Sequence, residues 1–186
     1  DKIYVVDNGR IVENGNHNNL VEDGGLYSRM WDEFNQSITQ LKNQGFDVKL
    51  GPLVEVNDLR SGTGRQRAEE LSMMQNDDSI KALLCAAGGD FLIEMLPYVN
   101  FKELAENPKW MMGYSDPTSL LYVLTTKYDV ATLYGANAGS FDLDELPEWL
   151  MAPLEVLQGK SIVQKSLEYC DPQFRKGPAV YETENH

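Results

Sequence analysis

The sequence predicts an α/β protein: a three-layer sandwich with a mainly parallel sheet, preceded by a β-hairpin and a helix. Three observations carry this. From Gly45 onward the order reads strand, helix, strand, helix, strand, helix, strand, which implies right-handed crossovers with helices on both sheet faces. The run "IKALLCAAGG" (80–89) is almost continuously apolar and ends in glycines, as in a parallel strand covered on both sides. The chain has 186 residues, 42% of them hydrophobic, enough for one domain with a real core or one domain plus an appendage.

The elements follow in order. "KIYVV" is a β-branched and aromatic run, "DNGR" carries a type I′ turn signal, and "IVENG" is a second strand; together they make a hairpin. "HNNLVED" is a short helix stopped at Gly24-Gly25. An amphipathic helix runs from Leu26 to about Asn43, with Met30, Trp31, Phe34, Ile38 and Leu41 on its inward face. "FDVKLG" alternates with period two and predicts a strand, and "EVNDLRSGTG" is a polar loop. "RQRAEELSMMQND" is a helix that turns Ala68, Leu71 and Met74 inward. After the 80–89 strand, "DFLIEMLPYV" and "FKELAEN" are helical, "KWMMGYS" is a strand, "DPTSLLYVLTTKY" a helix and "VATLYGAN" a strand. Val48, Leu83, Leu84, Met111, Met112, Thr132 and Leu133 fall in or beside the sheet. "DELPEWLMAPLEVLQG" is partly helical, and its Trp149, Leu150 and Met151 form either an exposed patch suited to a homodimer or part of the core. "KSIVQKSLEY" reads as a strand, and 166–186 as a polar linker.

Composition narrows the function classes. Lys and Arg number 16 against 29 Asp and Glu, a net charge of −13, which repels phosphate backbones and argues against nucleic acid as a partner. No apolar run reaches the ~18–20 residues that span a bilayer, and "DKIYVVDNGR" is not a secretory signal. Cys85 and Cys170 are the only cysteines. Neither has metal-ligand spacing to a second Cys or His, so no metal and no cofactor is expected, and two cysteines without a disulfide framework fit a cytoplasmic setting.

Two strand ends carry unusual chemistry: "AAGGD" (86–90) and "GYSDP" (113–117). Ligands of open α/β sheets collect beyond such ends. Pro117 suits a first helical turn, and Asp116 is placed to cap it. Ser115 therefore stands between a strand end and a helix N-terminus, the setting of a nucleophile elbow beside backbone N–H donors. The pattern departs from G-x-S-x-G, because Pro117 replaces the second glycine. A serine before Asp-Pro is more often a plain turn or helix cap than a nucleophile, and on pattern alone both readings stand. Gly88 and Gly89 read as a tight strand-to-helix turn or as backbone that approaches a substrate closely. His17 reads as a surface loop residue and His186 as the end of a polar tail, so neither is a ready base for Ser115.

The stretch from about Trp31 to about Gln164 resembles the N-terminal domain of the LD-carboxypeptidases, which include muramoyl-tetrapeptide carboxypeptidases and microcin C immunity peptidases. The matching features are "RQRAEEL", the Gly88-Gly89 strand end, "LPYVNF", "NPKWMMGYSD" and "YGANAGSF". The resemblance implies a serine peptidase with Ser115 as nucleophile. Backbone N–H groups of Asp116 and Gly89 would form the oxyanion hole, and Gly88, Asp90 and Tyr114 would contact substrate. It implies a triad Glu and His from a second domain C-terminal to the serine, about where this chain ends. The substrate would be a small peptide or a peptidyl-nucleotide. Residues 1–36 resemble instead the C-terminal tail of an ABC-transporter ATPase domain, without Walker A or signature sequences. The expected organisation is thus 1–36 tail-like hairpin and helix, 37–165 nucleophile domain, and 166–186 linker. The hairpin, with apolar Ile3, Val5, Ile11 and Leu20, is expected to dock on the sheet edge. Three function classes remain open: a serine hydrolase inactive or nearly so in this chain, a non-catalytic α/β module that binds a peptide or a partner or does nothing, and, on residues 1–36 alone, an accessory piece of an ABC transporter.

Overall fold

The computed structural model describes residues 2–55 and 60–162, together with the backbone of 169–170 and 176–177. His186, most of the "KSIVQKSLEY" strand and most of the 166–186 linker lie outside the described residues.

Strands β1 (Ile3–Asp7) and β2 (Arg10–Gly15) pair antiparallel. Asn8 and Gly9 turn the chain with φ of 48° and 74°, the left-handed pair that a type I′ turn needs. Helix α1 (His17–Glu22) is capped by the Asn16 side chain, which accepts from the Asn19 N–H at 2.9 Å. Helix α2 (Leu26–Asn43) ends where Gly45 takes a φ of 91° and the Phe46 N–H returns to the Leu41 carbonyl. Helix α3 (Gly64–Gln75) opens with a capping box between Thr63 and Gln66.

The central sheet is parallel, in the order β3 (Ala82–Leu84), β4 (Trp110–Gly113), β5 (Leu133–Tyr134). Leu83 sits opposite Met111, and Met112 opposite Leu133. The crossovers run through a 3-10 segment (Leu92–Tyr98), helix α4 (Phe101–Glu106) and helix α5 (Thr118–Tyr128). Helix α6 (Glu148–Leu157) follows, and a last short antiparallel ladder joins β6 (Tyr169–Cys170) to β7 (Lys176–Gly177).

Successive strand residues point to opposite faces, so Met111 and Met112 belong to different layers. Met112 joins Ile38 and Leu41 of α2, Phe141, and Leu150 and Leu154 of α6. Met111 joins Leu83, Leu104 of α4, and Leu120, Leu121 and Leu124 of α5, with Leu71 and Met74 of α3 packed alongside. Each fully buried Leu contributes on the order of 1.5–3 kcal/mol relative to exposure. The sandwich is the one the alternation predicts.

Several expectations are corrected. "FDVKLG" is extended but is not a strand: Phe46 and Val48 pack against the α2–α6 core, yet no described strand lies beside the segment for its backbone to pair with. The hairpin does not add to the parallel sheet. It forms its own two-stranded sheet, and Ile3, Val5 and Leu20 bury against Leu26 and Tyr27 at the start of α2. Ile11 is exposed because the hairpin has a single covered face. Met30 is exposed too, since the first turns of α2 lie outside the main core. The "DFLIEMLPYV" stretch is 3-10 rather than α-helical; it contains Pro97, which has no N–H for an i→i−4 bond. Of the suggested 149–151 patch only Trp149 is exposed. Leu150 is buried and Met151 packs on the core.

Candidate active site

The site lies at the carboxyl ends of β3 and β4. Gly113 is the last residue of β4. It sits where a Cβ would lie 2.8 Å from the Pro117 Cβ and 3.1 Å from both the Asn137 Oδ1 and the Cys85 Cβ. Only glycine leaves room for the chain to fold back here. Ser115, two residues on, takes a φ of 68°, a left-handed conformation that costs a non-glycine residue about 1 kcal/mol or more. The side chain is thereby exposed at the tip of the turn. Its carbonyl accepts the Thr118 N–H at 3.0 Å, which starts α5.

Gly88 faces the serine. A Cβ on Gly88 would stand 3.3 Å from the Ser115 Cβ and 3.4 Å from its Oγ, so a side chain there would crowd the hydroxyl. The backbone N–H groups of Asp116 and Gly89 make no hydrogen bond with any described residue.

Asp116 does not cap α5, as its position suggested. Its Oδ2 accepts the Leu92 N–H at 2.7 Å, latching the 88–92 turn to the serine turn. Pro117 holds the N-cap position without a side-chain cap, and the Asp116 carbonyl receives the Ser119 hydroxyl at 2.8 Å. Asp90 is exposed beside Gly89, and Tyr114 is exposed on the other side of Ser115.

Sequence reasoning missed Asn137. The side chain is buried; Oδ1 accepts the Tyr114 N–H at 3.1 Å, and Nδ2 donates to the Tyr114 carbonyl at 3.4 Å. One amide thus fixes both polar groups of the residue before the serine. The available signal was a polar residue closing the apolar "VATLYGAN" run, which marks a strand end that must satisfy a neighbour's backbone.

His17 is not a surface loop residue. It belongs to α1, bonds the Tyr27 hydroxyl through Nδ1 at 2.9 Å and meets the Trp31 ring edge-on at 4.8 Å. No histidine or carboxylate is hydrogen bonded to the Ser115 hydroxyl among the described residues, and no group of three metal-binding side chains occurs among them. Among the described residues no helix is long and apolar enough to cross a membrane.

Cys85 lies under the turn. Burial, reinforced by the nearby Asp116 charge, pushes its thiol up to about 12, so it stays neutral and is no competing nucleophile. Between its ordinary 9.0 and about 12 the unfolded chain ionises this thiol and the folded chain does not. The stability difference between the parent and Cys85→Ala is therefore expected to be constant below pH 9.0 and to shrink as pH rises towards 12. Thermal unfolding of both proteins across that window checks it.

Fold and site together define an α/β protein with a strained serine turn beside a glycine strand end. Residues 24–135 match the family described as the LD-carboxypeptidase N-terminal domain, more than half of the chain. The chain belongs to that family. A Vibrio cholerae protein provisionally named as a carboxypeptidase is 35% identical over 105 residues, 56% of this chain and 31% of its own length. The microcin C7 self-immunity protein MccF of Escherichia coli is 32% identical over 105 residues, 56% of this chain and 30% of its own. The solved structure of wild-type apo MccF superposes with a TM-score of 0.62 at 29% identity, covering 77% of this chain and 44% of that one. Other MccF structures hold adenosine monophosphate, aspartyl sulfamoyl adenosine or glutamyl sulfamoyl guanosine. A muramoyltetrapeptide carboxypeptidase from Oxalobacter formigenes, 18% identical, shares the fold with a TM-score of 0.58 over 69% of this chain and 44% of that one. The chain thus spans less than half the length of these relatives. A stretch of 31 residues is also 58% identical to the ATP-dependent lipid A-core flippase of Francisella tularensis, 17% of this chain and 5% of that one.

Proposed function

We propose that this chain carries the nucleophile half of a serine-type LD-carboxypeptidase, acting on an amide of a murein tetrapeptide or of a peptidyl-nucleotide. The observation that carries the reading is the strained φ of Ser115 between β4 and α5, facing Gly88. The Ser115 Oγ attacks the scissile carbonyl. The oxyanion that forms takes hydrogen bonds from the free N–H groups of Asp116 and Gly89. The tetrahedral species collapses, the C–N bond breaks and the amine leaves with a proton. Water then cleaves the acyl-serine. Gly88, Asp90 and Tyr114 border the space where the substrate chain would lie. A base must take the Oγ proton and pass it to the amine; the resemblance assigns that work to a Glu-His pair beyond the described residues. A second reading, a peptide-binding module without catalysis, is favoured by the lack of any hydrogen-bonded base at Ser115 among the described residues.

The test fuses the full 186-residue chain to the C-terminal domain of MccF. Released D-alanine from a murein tetrapeptide and released aspartate from aspartyl sulfamoyl adenosine are then measured. Release from either substrate, lost on Ser115→Ala, supports the hydrolase and names its substrate class. A folded fusion that releases neither supports the binding module.

A further inference from the structure

Gly88 and Gly89, the strand end beside Ser115, are the least self-supporting part of the site. Glycine loses more conformational freedom on ordering than any other residue, so a pair of them must be held at its ends. On the strand side the Cys85 carbonyl accepts the Ala138 N–H at 2.8 Å, and the Ala86 carbonyl accepts the Gly139 N–H at 3.0 Å. On the far side the hold centres on one peptide unit, the one that joins Phe91 to Leu92. Its N–H donates to the Asp116 Oδ2 at 2.7 Å, and its C=O accepts from the Arg67 Nη2 at 2.9 Å. That carbonyl also accepts the Glu94 N–H at 3.1 Å, which opens the 3-10 segment. The peptide is trans, so its C=O and N–H point in opposite directions. A cation thus stands at the negative end of the peptide dipole and a carboxylate at the positive end. Both bonds are charge-assisted, roughly twice as strong as neutral ones, and each polarises the other through the amide.

Helix α3 delivers Arg67 to this peptide. Gly64 lies on the same helix face, one turn earlier. It packs so tightly on the Glu94 carbonyl that a Cβ there would collide with it. The Arg67 side chain is 14% exposed. Its ion pair with Glu94 is the weaker of its two contacts. It spans 3.4 Å, to a carboxylate that Arg60 already holds through both oxygens at 3.2 Å. Arg60 itself lies over the Phe91 ring, 4.4 Å from its centre, so the cation on the Phe91 carbonyl is that of Arg67. Asp116 joins the clamp to the serine turn. It follows Ser115 directly, and a Cβ on Gly89 would lie 3.7 Å from the same Oδ2 that takes the Leu92 N–H.

We propose that Arg67 is a positioning residue of the serine site. It acts through the 91–92 peptide on Asp116, and so sets Gly88 and Gly89 against Ser115. Its kinetic consequence rests on the hydrolase proposed above; the clamp itself does not. A displacement of about 1 Å at a reacting centre can cost on the order of 10²-fold in rate. Substrate affinity changes little, because the oxyanion that the turn serves develops only on the way to the transition state.

Two measurements test it. In the full 186-residue chain, amide exchange is read residue by residue by NMR. Arg67→Met keeps the side-chain stem and removes the cation. It is expected to speed exchange of the Leu92 N–H about tenfold or more and to leave Met111 and Met112 of β4 unchanged. Asp116→Asn is expected to do the same. The double variant is expected to fall well short of the product of the two effects, since both act on one peptide. Arg67→Lys, whose ammonium can still reach one carbonyl, is expected to recover most of the protection. Multiplicative effects, an acceleration shared equally by β4, or a Lys variant as poor as the Met variant overturns the proposal. In the fusion that tests the proposed function, Arg67→Met is expected to lower kcat on the order of 10²-fold with KM within about twofold. A change in KM alone, or in neither constant, overturns it. A parent fusion that releases no product removes the proposed hydrolase instead, and the exchange data alone then decide whether Arg67 sets the turn.

Discussion

A fluorophosphonate probe is expected to label the 186-residue chain at Ser115 slowly or not at all. A serine hydroxyl is a weak nucleophile until a base stands within hydrogen-bond reach, about 2.6–3.2 Å. The described residues place none there. The carboxylate next in sequence, Asp116, is occupied with the Leu92 N–H, and His17 is tied to Tyr27 and Trp31. Loss of the base of a serine peptidase costs on the order of 10⁶-fold in rate. In serine peptidases a residual rate survives that loss, from oxyanion stabilisation and binding alone, the part that our proposal gives to the Asp116 and Gly89 N–H groups. Supplying a C-terminal domain that carries Glu and His is therefore expected to raise labelling by several orders of magnitude, and Ser115→Ala to abolish it. Rapid labelling of the chain alone would show that a histidine reaches Ser115, from His186 or from another copy, and would overturn this account of the site.

The largest expected effect on stability belongs to Phe141→Ala. Phe141 is fully buried, packed among Ile38, Leu41, Met112, Leu150 and Leu154. It follows the short 3-10 turn Ala138–Ser140, which itself follows Asn137. Truncation removes most of an aromatic ring from a site walled by two helices and a strand, where collapse is restricted. The expected loss is about 3–5 kcal/mol, a large part of the ~5–15 kcal/mol that holds a domain of this kind together. Denaturant unfolding measures it. Because Phe141 also anchors the segment that carries Asn137, the surviving folded protein is expected to hold Tyr114 less firmly. A loss below about 1 kcal/mol would mean that the α2–α6 layer repacks freely.

The parts of the fold that were legible in the sequence are those whose neighbours are also in the sequence. Helix α2 was readable end to end because periodicity and Gly45 fix it locally. Strands β3 and β4 were readable because apolar runs between glycines have few other uses. Segment 46–50 was misread for a physical reason: alternation records which residues face a core, whereas a strand also needs a partner edge, and that is not a local property. Asp116 was misread similarly. A carboxylate before Pro117 has two good uses, and the choice of Leu92 over the helix cap depends on where the 88–92 turn returns in space. The Ser115 turn was legible from Gly113 to Pro117, but its strain was not, since φ is imposed by the packing of Gly113 against Pro117, Cys85 and Asn137. Asn137 carries two hydrogen bonds to a residue 23 positions away, and no short pattern encodes that.

The separate small core of the hairpin bears on how the molecule comes apart. Ile3, Val5 and Leu20 share no buried residue with the two clusters that sandwich the sheet. Opening the hairpin therefore breaks its small core, its antiparallel ladder and the bonds that the Glu13 carboxylate accepts from the Leu26 and Tyr27 N–H groups, while the serine turn keeps its hydrogen bonds to Leu92 and Asn137. The native basin consequently contains a subglobal excursion in which the first strands are released and the sandwich stays intact. A protease that samples this excursion would trim the chain from its beginning, leaving a core that still presents Ser115. Resistance to digestion in the hairpin and in the sandwich is governed by two different free energies.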